Sequence, residues 1–343
     1  MPRCLPNFRV LVWGAKGFIG RALVEHLTEA GASVRVLTRP GGARSASLSP
    51  GVEWVENDDA NQDRAFDRAL DGITVVFNLA GSSGAVASNQ HPLESLESNC
   101  RVQLEFLAAC ARTRRRPHIV FASSRLVYAA GNGFPITEDH PVAPLSMYAA
   151  HKLCVEHYHR IFALRDQVTF TICRISNPFG LDRSAPGKGY GFINALIQRA
   201  LAGQRLTLFG GGRQLRDYLY IDDLARSLRL CGERVEARNE VLNVGFGSSL
   251  SILDAATRIQ RALGGGAIDV QPWPKEYEAV ESGDFVVDTT KLRRLLGWAP
   301  AYSFDAGLAC VKARALSARL VPGSECEPLN AALTQSVTTE GYR

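Results

Sequence analysis

The sequence predicts an α/β fold, a parallel sheet wound with helices over both faces, and three observations carry that prediction. Short apolar runs alternate with amphipathic stretches through the first half of the 343 residues. Such runs read as strands buried on both faces, and strand alternating with helix gives right-handed β-α-β units. A glycine triplet, Gly14, Gly17 and Gly20, falls between the first apolar run and the first amphipathic stretch. Finally, 46% hydrophobic and 21% charged residues make an ordinary globular composition, on a chain long enough to bury a real core.

Taken in order, Phe8 to Trp13 reads as a buried strand and Arg21 to Ala30 as a helix with Leu23 and Leu27 on one face. Ser33 to Leu37, Val52 to Val55 and Thr74 to Leu79 are the next strands, and Leu93 to Arg112 the next helix. A strand at His118 to Ala122, a helix at Tyr148 to Arg165 and a strand at Thr169 to Ile175 complete the regular part. Beyond residue 176 the rhythm loosens. Gly180 to Gly191 reads as a long loop, Phe192 to Ala202 as a helix and Gly210-Gly211-Gly212 as a turn. Residues 321–343 read as a flexible tail.

The net charge of +5 is mild. The tightest basic cluster, Arg112 to Arg116, falls where a helix would end, its cations opposing the helix dipole. No Lys/Arg run is dense enough to imply nucleic acid or a membrane surface as partner. Eight cysteines, none in a C-x-x-C pair and most inside apolar runs, read as reduced, buried thiols. Without a signal peptide or a bilayer-length apolar stretch, the expected location is the cytoplasm. His151, His157 and His159 lack a completing set of carboxylates or thiolates, so no metal is expected.

The segment Gly14-Ala15-Lys16-Gly17-Phe18-Ile19-Gly20 is the candidate cofactor-binding loop. Gly14 permits a tight turn, Gly17 lets the backbone approach a pyrophosphate, and Gly20 allows close helix–strand packing. Its position in a wound α/β pattern gives the motif a specificity that three glycines alone lack. The organisation expected is therefore a dinucleotide-binding domain over residues 1–176, to which some later elements return, and mainly a substrate-binding lobe over 177–320. At the end of the second strand, where an acid would bond the adenosine ribose of NAD, the chain has Thr38-Arg39. Arg39, with Lys16, would suit the 2′-phosphate of NADP; the alternative is a pair of surface cations. Asp58 is placed to accept from the adenine amine, or is a plain loop carboxylate.

Tyr148 and Lys152 stand at i,i+4 at the start of a helix, which sets phenol and ammonium on one face. A nearby ammonium favours the phenolate, so Tyr148 is expected to have a lowered pKa and to act as general acid or base. Ser124 ends the preceding strand at the carboxyl edge, where it can hydrogen-bond the same substrate oxygen.

These residues carry a resemblance from Val10 to about Val311. GAKGFIG (14–20), VFNLAG (76–81), Asn99, FASSRLVY (121–128), PITEDHPVAPLSMYAAHKLCVE (135–156), RISNPFG (174–180), FGGGRQLRDYLYIDDLA (209–225), LNVG (242–245) and KLRRLLGWAP (291–300) resemble, in order, the extended short-chain dehydrogenase/reductase family in its nucleotide-sugar epimerase/dehydratase branch. The resemblance implies a Rossmann-type sheet with catalytic Ser124, Tyr148 and Lys152. It further implies that Lys152 holds the nicotinamide ribose, that Asn99 lies near the cofactor, and that Asn177 and Arg216 hold a nucleotide diphosphate. The other role open to Arg216 is an ion pair with Asp217. Relatives commonly form homodimers through a four-helix contact, which here would use the helices at 93–112 and 148–165.

Three departures bear on the reaction. Arg125-Leu126 stands where sugar dehydratases carry an acid, Glu281 to Asp284 stands where many relatives place an Arg, and Thr38-Arg39 departs from the NAD-retaining epimerases. The leading reading is thus an NADPH-dependent 4-ketoreductase acting on a nucleotide-diphosphate sugar. The alternative is a 4-epimerase that keeps its NAD, and a more distant one a non-catalytic NAD(P)-sensing protein.

Overall fold

The computed structural model describes residues 8–39, 51–57, 62–131, 135–181 and 190–320. Asp58 and the expected tail at 321–343 lie outside the described residues. The chain runs β1 (Arg9–Trp13), α1 (Phe18–Glu29), β2 (Ser33–Thr38), β3 (Glu53–Glu56), α2 (Gln62–Leu70), β4 (Val75–Asn78), α3 (Ala85–Gln90), α4 (Pro92–Leu96), α5 (Val102–Arg112), β5 (His118–Ser124), α6 (Met147–Asp166) and β6 (Phe170–Ile175). It continues with β7 (Asn177–Phe179), α7 (Gly191–Leu201), β8 (Leu206–Phe209), β9 (Leu215–Tyr220), α8 (Ile221–Glu233), β10 (Glu240–Val244), β11 (Ser249–Ser251), α9 (Ile252–Leu263) and β12 (Ile268–Gln271). The helices α10 (Lys275–Glu278), α11 (Thr290–Leu296) and α12 (Phe304–Leu320) follow.

Seven strands form the main sheet in the order β10-β6-β5-β4-β1-β2-β3, all parallel, as in a Rossmann-type fold. Alternation along β1 assigns its side chains to two cores. Val10 and Val12 pack with Leu23, Val24 and Leu27 of α1 and with Leu224 and Leu228 of α8. Leu11 and Trp13 pack on the opposite face with Phe66 of α2, Phe106 of α5 and Phe162 of α6. There Trp13, Phe66 and Phe106 interlock at centroid distances of 5.7, 4.6 and 5.1 Å. Strand order reverses at β1, flanked by β2 and β4, so the connections above β1 and β4 part and leave a crevice at the carboxyl edge.

Two small sheets, β11-β9-β7 and β12-β8, lie outside the main sheet. Among the described residues no helix is long and apolar enough to cross a membrane. The helix expected from Leu93 to Arg112 is instead two helices, α4 and α5, joined by a π-helical turn over Glu97–Arg101. Helices α2 and α3 are absent from the sequence reading. α2 spans only nine residues, with charges between its buried Ala65, Phe66, Ala69 and Leu70, and α3 spans six.

Candidate active site

The glycine loop is shaped by contacts that forbid side chains. Gly14 has φ +95°, and a Cβ there would come within 2.7 Å of the Leu79 carbonyl. A Cβ on Gly20 would lie 2.2 Å from the Gly14 oxygen. At Gly17 the nearest atom to an added Cβ is the Gly14 oxygen at 3.4 Å, and the residue is exposed on the cleft side. Helix α1 starts here with no side-chain cap and no acid in its first turn. Its first N–H groups therefore keep their positive end for an outside anion, the arrangement a pyrophosphate needs. The loop fits a dinucleotide.

Gly14, Gly17, Phe18, Ile19 and Gly20 line a single cleft together with Ser124, Tyr148 and Lys152. Ser124 ends β5, and its Oγ accepts from Leu126 N at 3.2 Å, closing the short 3-10 turn Arg125–Val127. Ser146 caps α6 by accepting from Ala149 N, and Tyr148 N donates to Ser88 Oγ at 3.0 Å, which ties the helix start to α3. The Tyr148 hydroxyl has Ser124 as its side-chain hydrogen-bond partner. Lys152 Nζ donates to the Ala122 carbonyl at 2.8 Å and sits 5.8 Å from the centre of the Tyr148 ring.

The expected acidified phenol is not what this geometry gives. Burial raises the Tyr148 pKa well above its ordinary value; the Tyr190 phenol adds to the rise, and the Ser124 hydrogen bond opposes it. Burial also lowers Lys152, to about 8. At each group burial outweighs what opposes it, the Ser124 hydrogen bond at Tyr148 and the Cys100 and Glu156 charges at Lys152. Tyr148 is thus a protonated phenol at rest, and Lys152 an ammonium near its titration point.

A polar network behind the cleft escaped the sequence reading. Glu156, one turn beyond Lys152, accepts from Ser123 Oγ and is held by Arg174 at 2.7 and 3.1 Å. The Arg174 guanidinium stacks 4.7 Å from the Tyr128 ring, and Tyr128 donates to Asn243 Oδ1 at 2.6 Å. These bonds knit α6, β5, β6 and β10 together under the reacting groups. The signal was available: Tyr148, Lys152 and Glu156 form an i, i+4, i+8 polar stripe on one helix face.

The remaining candidates lie outside that cleft lining. Asn99, on the π turn, is buried and donates to Ser82 at 2.9 Å, and Ser82 does line the cleft. Lys16 rests 5.7 Å from the Trp54 ring centre, and Arg39 is exposed just past β2. Asn177 bridges Asp217 O at 2.8 Å and Arg125 Nε at 3.1 Å. Arg216 does not pair with Asp217; it pairs with Glu281, while Asp217 accepts from Phe246 N and Gly247 N at 2.8 Å each. Neighbours on a strand point to opposite faces, which is why the adjacent acid is out of reach.

Comparison with known proteins gives the same family over most of that stretch. Residues 10–245 match the NAD dependent epimerase/dehydratase family. The UDP-glucose 4-epimerase of Mycolicibacterium smegmatis is 30% identical over 311 residues, covering 88% of this chain and 96% of that protein. The UDP-glucose 4-epimerase of Thermotoga maritima, solved with UDP-glucose, superposes with a TM-score of 0.81 at 25% identity, over 90% of this chain and 99% of that one. The Thermus thermophilus UDP-glucose 4-epimerase, solved with NAD, gives 0.79 at 27% identity, over 89% and 98%. These relatives are epimerases, which favours the epimerase alternative over the ketoreductase reading. The chain belongs to the NAD-dependent epimerase/dehydratase family and is an NAD(P)-dependent enzyme of the extended short-chain dehydrogenase/reductase type.

Proposed function

We propose that the protein is a nucleoside-diphosphate-sugar 4-epimerase that works with a retained NAD. The observation that carries this reading is the single cleft shared by the glycine loop, Ser124, Tyr148 and Lys152, in a chain whose relatives include UDP-glucose 4-epimerases, one of them solved with NAD. NADP, for which Arg39 speaks, becomes the second choice, because the Thermus thermophilus relative is solved with NAD.

The glycine loop and the first turn of α1 would hold the pyrophosphate, with Lys152 at the nicotinamide ribose. NAD, when bound, supplies reversible uptake of a hydride from the sugar carbinol. The chain supplies the rest. Ser124 orients the carbinol oxygen, and Tyr148, once its own proton has left and it is a phenolate, receives the carbinol proton as the carbon is oxidised and returns it when hydride comes back to the other face. The Ser124 hydrogen bond and the Lys152 ammonium are the two groups at hand that favour the phenolate Tyr148 needs.

We also propose a homodimer and cytoplasmic residence. Leu93, Leu104, Ile161 and Leu164 leave apolar side chains exposed around α5 and α6, Leu164 by 87%. The described cysteines are all free thiols, as a reducing compartment would keep them. The deciding experiment assays nicotinamide released from the denatured purified protein, then follows UDP-glucose by NMR for conversion to UDP-galactose. NAD near one per chain with interconversion is the expected result. No retained NAD, with NADPH-dependent reduction of a keto sugar nucleotide, would restore the reductase reading.

A further inference from the structure

Arg125 follows Ser124 directly, and the proton-transfer scheme does not use it. Its guanidinium is turned inward: Nε donates to Asn177 Oδ1 at 3.1 Å and Nη1 to Ser282 Oγ at 3.0 Å, 4.9 Å from the Phe285 ring centre. Both acceptors are neutral, and among the described residues no carboxylate forms an ion pair with it. Arg216 reaches the same loop, where its Nη1 donates to Gly283 O and its Nη2 pairs with Glu281. Glu281 Oε1 is held there by Gly283 N at 2.9 Å.

Two guanidiniums thus converge on residues 281–283, and of the two only Arg216 has a carboxylate in contact, Glu281. Asp217 acts on Arg125 through space only: its oxygens accept from Phe246 N and Gly247 N, so no hydrogen bond joins it to either guanidinium. Burial, and next the Arg216 charge, bring the Arg125 pKa down to about 9, against the opposing pull of Glu281, Tyr218 and Asp217. A guanidinium held so, with neutral acceptors only, is an incomplete anion site.

We propose that Arg125 is a specificity-determining residue that, with Arg216, clamps an oxyanion of the substrate, and that Glu281 occupies the clamp as a built-in competitor. The clamp rests on the nucleotide-sugar reading above and deepens it. The ligand chemistry is an oxyanion matched to a planar fork, from either of two sources: the diphosphate, or a carboxylate carried by the sugar. Glu281 must swing off Arg216, or share it, when that anion arrives.

The test is calorimetric binding of inorganic pyrophosphate, UDP, UDP-glucose and UDP-glucuronate to the protein with its nicotinamide cofactor. Wild type is compared with Arg125→Gln, Arg125→Lys and Glu281→Gln, and melting temperatures report folding. Arg125→Gln should weaken binding by about 10- to 100-fold, the worth of a charged hydrogen bond. Arg125→Lys should fall between, keeping the charge but losing the fork, and it carries the test should Arg125→Gln not fold. Glu281→Gln should tighten binding. Loss for UDP, UDP-glucose and UDP-glucuronate alike assigns the clamp to the diphosphate; loss for UDP-glucuronate alone assigns it to the sugar carboxylate. Wild-type affinity of both Arg125 variants for every probe, weaker binding by Glu281→Gln, or no binding of any probe by wild type overturns the clamp. Failure of the epimerase reading would look different: no sugar interconversion, with pyrophosphate binding still dependent on Arg125.

Discussion

Helix α6 carries two kinds of buried polar group one turn apart. At its N-terminal end, Tyr148 and Lys152 are buried and, among the described residues, neither has a counterion in contact; Lys152 donates to the Ala122 carbonyl. One turn on, Glu156 is just as buried but bonded to both Arg174 and Ser123. At the first site desolvation moves the pKa values toward neutral forms; at the second burial is outweighed by the Glu156 contact, which raises the Arg174 pKa, and the bonded groups brace four elements. Burial with a partner makes a brace; burial without one leaves a group ready to exchange a proton.

The contrast can be broken by substitution. The largest effect expected is on turnover in Tyr148→Phe, a loss of about 10²- to 10⁴-fold. Its melting temperature should hold or rise, because a desolvated hydroxyl is removed; undiminished turnover would end the catalytic assignment. Glu156→Gln should do the reverse, costing about 3–5 kcal/mol in urea unfolding by stranding the Arg174 guanidinium. A cost below 1 kcal/mol would mean the pair is no brace.

Lys152→Met should abolish activity yet raise stability near neutral pH by about 3 kcal/mol, since the buried ammonium has a folded pKa of about 8 against an ordinary 10.5. The sign follows from proton counts. Below pH 8 both states hold the proton and the burial penalty is complete. Between about 8 and 10.5 the unfolded chain holds more protons, so wild-type stability should climb through that window in denaturation curves. Turnover should fall over the same rise as the ammonium is lost. The smallest effect belongs to the exposed Arg39. Arg39→Ala should leave stability within about 0.5 kcal/mol and weaken NADPH binding more than NADH binding. Equal losses for the two would remove Arg39 from cofactor choice.

What the sequence displays of all this is what is local. Gly14, Gly17 and Gly20 were legible because a turn and a helix start are encoded within seven residues. Tyr148 and Lys152 were legible because i,i+4 fixes a shared face. Depth was not: the spacing tells that an ammonium is near a phenol, but not that both lie out of water, and so the direction of the Tyr148 shift was misjudged. Partners far along the chain were equally hidden. Arg216 meets Glu281 across 65 residues, while its neighbour Asp217 was the partner that sequence proximity suggested. The inward turn of Arg125 depends on Asn177 and Ser282, 52 and 157 residues away. The break between α4 and α5 was invisible for another reason: apolar periodicity over Leu93 to Arg112 tolerates one surplus residue in a turn.

That surplus residue has a consequence for how this stretch can change. Because Glu97–Arg101 winds wider than a regular turn, removing one residue there would let the two helices fuse into a straight rod. Such a rod would be locally better bonded, yet everything on its upstream side would be rotated by about 100°. Ser95, which shares Asn99 with Ser82 and reaches His151 at 3.0 Å, would be carried away from both. The irregular coil therefore works as a phase-shifter, keeping one end of the rod in register with the sheet while the other keys onto α6.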